Sequence, residues 1–137
     1  MAQAVHHSPA PRGVILTVDD CPTTRAWMCA ALEALGYQVQ AVDNGPAALT
    51  AAWQQAFDAI VLDVEMPGVD GMAVGRALRQ DPRTAHAKIA MHSGLAESEV
   101  RAGFSQYDAF VPKAGNPALL RDQVDRLVRA CSPAEAA

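Results

Sequence analysis

The stretch Ala59-Ile60-Val61-Leu62-Asp63-Val64-Glu65-Met66-Pro67-Gly68-Val69-Asp70-Gly71 sets an acid at the end of a short apolar run and turns the chain at once. Ile60 and Val61 are β-branched, and the run is apolar on every residue rather than every second one. A strand covered on both faces has that pattern. Met66-Pro67-Gly68 then turns the chain into a helix expected from about Val69 to Gln80. An acid after a strand is ordinarily a turn residue or a helix cap. Asp63 therefore gains meaning only from what the rest of the chain brings beside it.

Upstream, Val14-Ile15-Leu16-Thr17-Val18 is a second, nearly continuous apolar run with β-branched residues. Pro22-Thr23-Thr24 follows and offers hydroxyl caps for a helix in which Trp27, Met28, Ala31, Leu32 and Leu35 share one face, with Gly36 as its stop. Gln38 to Val42 reads as a strand, Asn44-Gly45-Pro46 as a turn, and Ala47 to Ala56 as a helix. Downstream, Lys88 to His92 is a strand, Glu97 to Ala102 a short helix, and Ala109-Phe110-Val111 a last strand. Asn116-Pro117 is an N-cap and first-position pair for a helix lined by Leu120, Val124, Leu127 and Val128. Five strand–helix units with buried strands imply an α/β fold, a doubly wound parallel sheet with helices on both faces. Ligands of such sheets bind outside the carboxyl ends of the strands.

Asp19 and Asp20 close the first strand, Asp63 the third, Ser93-Gly94 the fourth and Lys113 the fifth. Where the first and third strands are neighbours, three carboxylates meet in a small space and raise one another's pKa values. A hard divalent cation resolves that repulsion, and Mg²⁺ takes a few carboxylates while keeping waters for a phosphate. Ser93 supplies a hydroxyl and Lys113, one of two lysines in the chain, a mobile point charge. Singly, a turn serine or a solvated lysine is the plainer reading. Together the set faces one mouth.

With 137 residues and half of them hydrophobic, the chain has the size of one domain. The boundaries expected are an N-terminal arm over 1–12, a domain over 13–131 and a tail over 132–137. The net charge of −4 and the lack of any basic cluster argue against a nucleic-acid partner. Cys21, Cys29 and Cys131 form no CxxC pair, so neither a disulfide framework nor a zinc site is expected, and a cytoplasmic setting is the simpler one. No apolar run approaches a membrane span, and the first residues lack the pattern of a signal peptide.

Val18-Asp19-Asp20, the run from Asp63 through Met66-Pro67-Gly68-Val69-Asp70-Gly71, Ser93 and Lys113 together resemble the receiver domain of bacterial two-component response regulators, over about Val14 to Ala130. The resemblance implies the flavodoxin-like strand order 2-1-3-4-5. It implies that Asp63 accepts a phosphoryl group from a sensor histidine kinase or a phosphotransfer protein. Asp20, Asp63 and the backbone carbonyl of Glu65 would hold Mg²⁺, with Asp19 acting through water. Lys113, Ser93 and backbone N–H groups would stabilise the phosphoryl oxygens. Such a domain promotes its own phosphorylation and slow dephosphorylation but is not a turnover enzyme. Output would pass to another protein through the face of the fourth helix, fifth strand and last helix, and the resemblance allows a phosphorylation-dependent homodimer. Neither terminal stretch is expected to hold an output domain.

Some positions depart from the family. Ala114 follows the lysine where proline, often after a cis bond, is usual, so Lys113 is expected to approach the site differently. Pro112 precedes it, which suits an edge strand. His92 stands where an apolar residue is usual and is expected to be partly buried with a satisfied ring. The stretch from Ser93 to Lys113 is short, so a truncated or irregular fourth helix is expected. Phe110 takes the place of the aromatic that rotates on activation, or is simply core. The Glu65 side chain either overlooks the phosphoryl group's approach or is a solvated acid that lends only its carbonyl. Three other readings remain: a degenerate receiver acting without phosphorylation, an aspartate-nucleophile phosphatase, which Cys21 in place of a second acid disfavours, and a flavodoxin-type flavin module, which lacks its phosphate loop here.

Overall fold

Apolar strands and amphipathic helices alternate five times in the computed structural model of the chain, which describes residues 12–114, 116 and 118–130. The elements are β1 (Val14–Val18), α1 (Pro22–Glu33), β2 (Gln38–Val42), α2 (Gly45–Gln54), β3 (Ala59–Asp63), α3 (Gly71–Gln80), β4 (Ile89–Ser93), α4 (Glu97–Gly103), β5 (Ala109–Pro112) and α5 (Ala118–Ala130). The strands form one parallel sheet in the order β2-β1-β3-β4-β5, so β1 and β3 are neighbours as expected. Most of the expected arm and the whole expected tail lie outside the described residues, as does Pro117.

Alternation along the strands divides the interior into two cores. Leu16, Val18, Ile60, Leu62, Ile89 and Met91 point to the side covered by α2, α3 and α4. Ile15, Ala59, Val61, Ala90 and Val111 point to the side covered by α1 and α5. β3 and β4 are buried at every residue, which explains the apolar runs Ala59–Leu62 and Ile89–Met91; the buried polar residues Asp63, His92 and Ser93 stand at their carboxyl ends. The last helix buries Leu120, Val124 and Leu127 at helical spacing.

Some local expectations need correction. Thr23 and Thr24 do not cap α1. They lie within its first turn, the N-cap is Cys21 in an extended conformation without a side-chain cap bond, and Pro22 opens the helix. Trp27 does not join the buried face of that helix. It is 36 % exposed, while Met28 and Leu32 carry the packing. Asn44 is not merely part of a turn, because its side chain accepts the Ala47 N–H and caps α2. Arg12, expected in the arm, is docked: its guanidinium donates to the Leu35 carbonyl and pairs with Asp125 at 2.9 Å. Other expectations hold. α4 has only seven residues. Pro112 lies on the edge strand opposite Ser93, where its missing N–H costs the sheet no interior bond.

Candidate functional site

β1 and β3 run side by side and end together, which brings Asp19, Asp20 and Asp63 to the same corner of the sheet. One carboxylate oxygen from each lies within 4.8 Å of the others. Asp19 and Asp63 are buried, and Asp20 is exposed at the rim. Asp19 Oδ1 accepts the Cys21 N–H at 2.8 Å, which holds the turn into α1. Asp63 Oδ1 accepts the Glu65 N–H at 3.1 Å and the Lys113 ammonium at 2.6 Å. The second oxygens, Asp19 Oδ2 and Asp63 Oδ2, are buried without a hydrogen-bond partner among the described residues.

Orphaned carboxylate oxygens in a buried site carry a steep desolvation cost. Burial pushes the Asp63 carboxyl up to about 7, and the Asp19 charge adds to it, against the opposing pull of Lys113. Burial alone would lower the Lys113 ammonium, but the hydrogen bond to Asp63 and the charges of Asp63, Glu65 and Asp19 hold it above its ordinary value. One lysine thus compensates the carboxylates only in part. An all-oxygen donor set with two unsatisfied buried oxygens suits a hard divalent cation and not a soft metal.

The turn after Asp63 is built to fix that residue. Gly68 has φ +77°, in the region that favours glycine, and Asp70 caps α3 by accepting the Ala73 N–H at 2.9 Å. Gly71 then passes directly over the strand end, where an added Cβ would fall 2.2 Å from the Asp63 carbonyl oxygen. Gly71 closes the signature that begins at Asp63, and its role is to let α3 start against the backbone of that residue.

Across the mouth, Lys113 reaches Asp63 despite Ala114, and there is no cis peptide bond among the described residues. Its N–H donates to the Ser93 carbonyl at 2.8 Å, tying the ends of β4 and β5 together. Ser93 is 1 % exposed, and its hydroxyl oxygen accepts the Leu95 N–H at 2.9 Å. The Glu65 side chain is not a free solvated acid. Oε1 accepts the Gly94 N–H at 2.7 Å, and Oε2 lies 3.6 Å from the Lys113 ammonium. Burial would raise this carboxyl, but the bond from Gly94 and the Lys113 charge outweigh it, so its pKa is lowered. The sequence places Gly94 at this strand end, but the bond from its backbone N–H to Glu65 carries no sequence signal.

Phe110 is half-buried on β5, packed on the α2–α4 core with its ring 6.3 Å from that of Tyr107. His92 departs from expectation. It is 5 % exposed, and its Nδ1 has no hydrogen-bond partner among the described residues, so the ring is buried but not satisfied. Burial and the Lys113 charge lower its pKa, which keeps the imidazole neutral at pH 7. With Trp27, Thr23, Leu120 and Lys113 it lines a cavity of about 350 Å³ between α1 and α5.

The family profile of the response regulator receiver domain matches residues 15–125. The chain is similar to a gliding motility regulatory protein of Myxococcus xanthus, 34% identical over 93% of this chain and 17% of that protein. It is similar to the transcriptional activator protein PfeR of Pseudomonas aeruginosa, 34% identical over 91% of this chain and 41% of that protein. The chain therefore spans less than half the length of either relative. Among solved structures it resembles the receiver domain of a sensor histidine kinase from Pseudomonas aeruginosa PAO1, with a magnesium ion coordinated in the active site cleft of that protein; the TM-score is 0.78 at 28% identity, covering 85% of this chain and 98% of that one. The chain belongs to the response regulator receiver domain family of two-component signalling.

Proposed function

We propose that this receiver accepts a phosphoryl group on Asp63, in a Mg²⁺-dependent reaction, from a sensor histidine kinase or a phosphotransfer protein. The observation that carries the reading is the state of Asp63: buried at a strand end, one oxygen on Lys113 and the other unpartnered beside Asp19 and Asp20. A carboxylate so held has an unpartnered oxygen and the Lys113 ammonium already beside it. In the transfer, that oxygen forms a bond to phosphorus while the phosphorus–nitrogen bond of the donor breaks, and the departing imidazole keeps the electron pair and takes up a proton. The Lys113 ammonium, the Ser93 hydroxyl and backbone N–H groups at the mouth receive the charge on the equatorial oxygens.

Asp20, Asp63 and the Glu65 carbonyl would hold Mg²⁺ directly, with Asp19 through water. When bound, the ion neutralises charge on the carboxylates and on the phosphoryl oxygens. Residues 13–131 form the receiver in this reading, in a cytoplasmic setting, with output to a partner protein over the α4–β5–α5 face.

Incubation with acetyl phosphate followed by intact-mass measurement tests the proposal. One phosphoryl group is gained with Mg²⁺, none in chelator, and none in Asp63→Ala. No gain under any donor favours a degenerate receiver, and continuous release of inorganic phosphate favours a phosphatase.

A further inference from the structure

The Glu65 carboxylate touches the groups that a phosphoryl group on Asp63 would need. Oε1 takes the Gly94 N–H at 2.7 Å, and Oε2 faces the Lys113 ammonium at 3.6 Å. The Ser93 hydroxyl lies at the same strand end, where it accepts the Leu95 N–H at 2.9 Å. A backbone N–H, an ammonium and a hydroxyl at one mouth are the donor types suited to phosphate oxygens. Gly94 permits this approach, since a Cβ there would stand 3.1 Å from Oε1.

We propose that, before phosphorylation, the Glu65 carboxylate occupies the place of a phosphoryl oxygen, so that modification of Asp63 exchanges one anion for another on donors already assembled. The inference rests on the phosphoacceptor reading of Asp63. Two anions do not share these donors without strong repulsion, so Glu65 withdraws when the phosphoryl group arrives. Its side chain is 36 % exposed, and water is available to take it up. Two consequences follow. Phosphoryl binding is weakened by the competition, and the β4–α4 junction is held in place before any phosphoryl group is present. Glu65 is thus a positioning residue for Gly94 and Lys113, separate from the use of its backbone carbonyl, which substitution leaves intact.

The test uses Mg²⁺ with beryllofluoride, a non-transferable phosphoryl analogue, on the full chain and on Glu65→Gln and Glu65→Ala. Affinity is read by ¹⁹F NMR titration, and the junction by the Gly94 amide proton shift and exchange rate. Beryllofluoride is expected to bind Glu65→Ala about tenfold more tightly than the parent, a factor equal to about 1.4 kcal/mol. Glu65→Gln, which keeps an acceptor and loses the charge, gains less. The free Glu65→Ala protein loses the downfield shift and exchange protection of Gly94, and beryllofluoride restores both. Equal or weaker binding by Glu65→Ala, or an unchanged Gly94 amide, overturns the inference while leaving the phosphoacceptor reading intact. Absence of binding in all three proteins overturns both.

Discussion

Replacing Asp63 by asparagine should stabilise the metal-free protein, and increasingly so as pH rises. Burial raises the Asp63 carboxyl from 3.8 to about 7 in the folded chain. Between those values the folded state holds a proton that the unfolded state has released. Rising pH therefore removes stability across this window, and the full loss is reached above about 7. A shift of about three units corresponds to about 4 kcal/mol at most. Asparagine deprives Lys113 of its 2.6 Å partner and leaves it Glu65 at 3.6 Å, so the expected gain at pH 8 is about 2–3 kcal/mol. For a chain of this size that is on the order of 10 °C in Tm. Thermal melts of both proteins in chelator, from pH 4.5 to pH 8, give the readout. The difference should be small at the acid end, grow towards neutrality, and shrink when Mg²⁺ is added to the parent, because ion binding stabilises only the protein that retains the full carboxylate set. An asparagine variant that melts at or below the parent at pH 8 in chelator would refute the view that the carboxylates are crowded and undercompensated.

Lys113→Ala should slow phosphorylation by acetyl phosphate at least about 100-fold, since it removes the mobile charge on the transferring group; rates within threefold of the parent would contradict that role. Gly71→Ala drives a Cβ to 2.2 Å from the Asp63 carbonyl, a backbone contact with little room to relax. It should cost about 3 kcal/mol or more in urea denaturation and depress phosphorylation as well, and parent-like behaviour in both would refute the close-packing argument. Arg79 donates to the Gln106, Ala85 and Ala87 carbonyls and pairs with Asp108 at 2.9 Å, tying two loops at the amino edge of the sheet to α3. Arg79→Ala should lower urea stability by about 2–4 kcal/mol without changing the phosphorylation rate, and a loss under about 0.5 kcal/mol would show that water replaces these bonds.

Short-range chemistry was readable in the chain. The apolar run Ala59–Leu62 and the nearly continuous one at Val14–Val18 announced strands covered on both faces, and strand-end acids announced the mouth they share. What escaped depends on contacts between residues far apart in the chain. Trp27 has the spacing of a core residue, yet it lines the cavity between α1 and α5 and stays partly exposed. Arg12 looked like part of an arm because its partners, Leu35 and Asp125, are 23 and 113 residues away. The unsatisfied ring of His92 and the grip of Glu65 on Gly94 are likewise tertiary facts. Hydroxyls at Thr23 and Thr24 suggested caps, but Pro22 fixes the helix start one residue earlier and leaves them inside the first turn.

Reductive trapping of the phosphorylated protein with borohydride, followed by peptide mass spectrometry, locates the modified residue. An acyl phosphate on Asp63 is converted to homoserine at position 63, in a Mg²⁺-dependent manner and at no other acid. Homoserine at position 19 or 20, or phosphate retained on Ser93 or His92, would contradict the assignment of Asp63 as the phosphoacceptor.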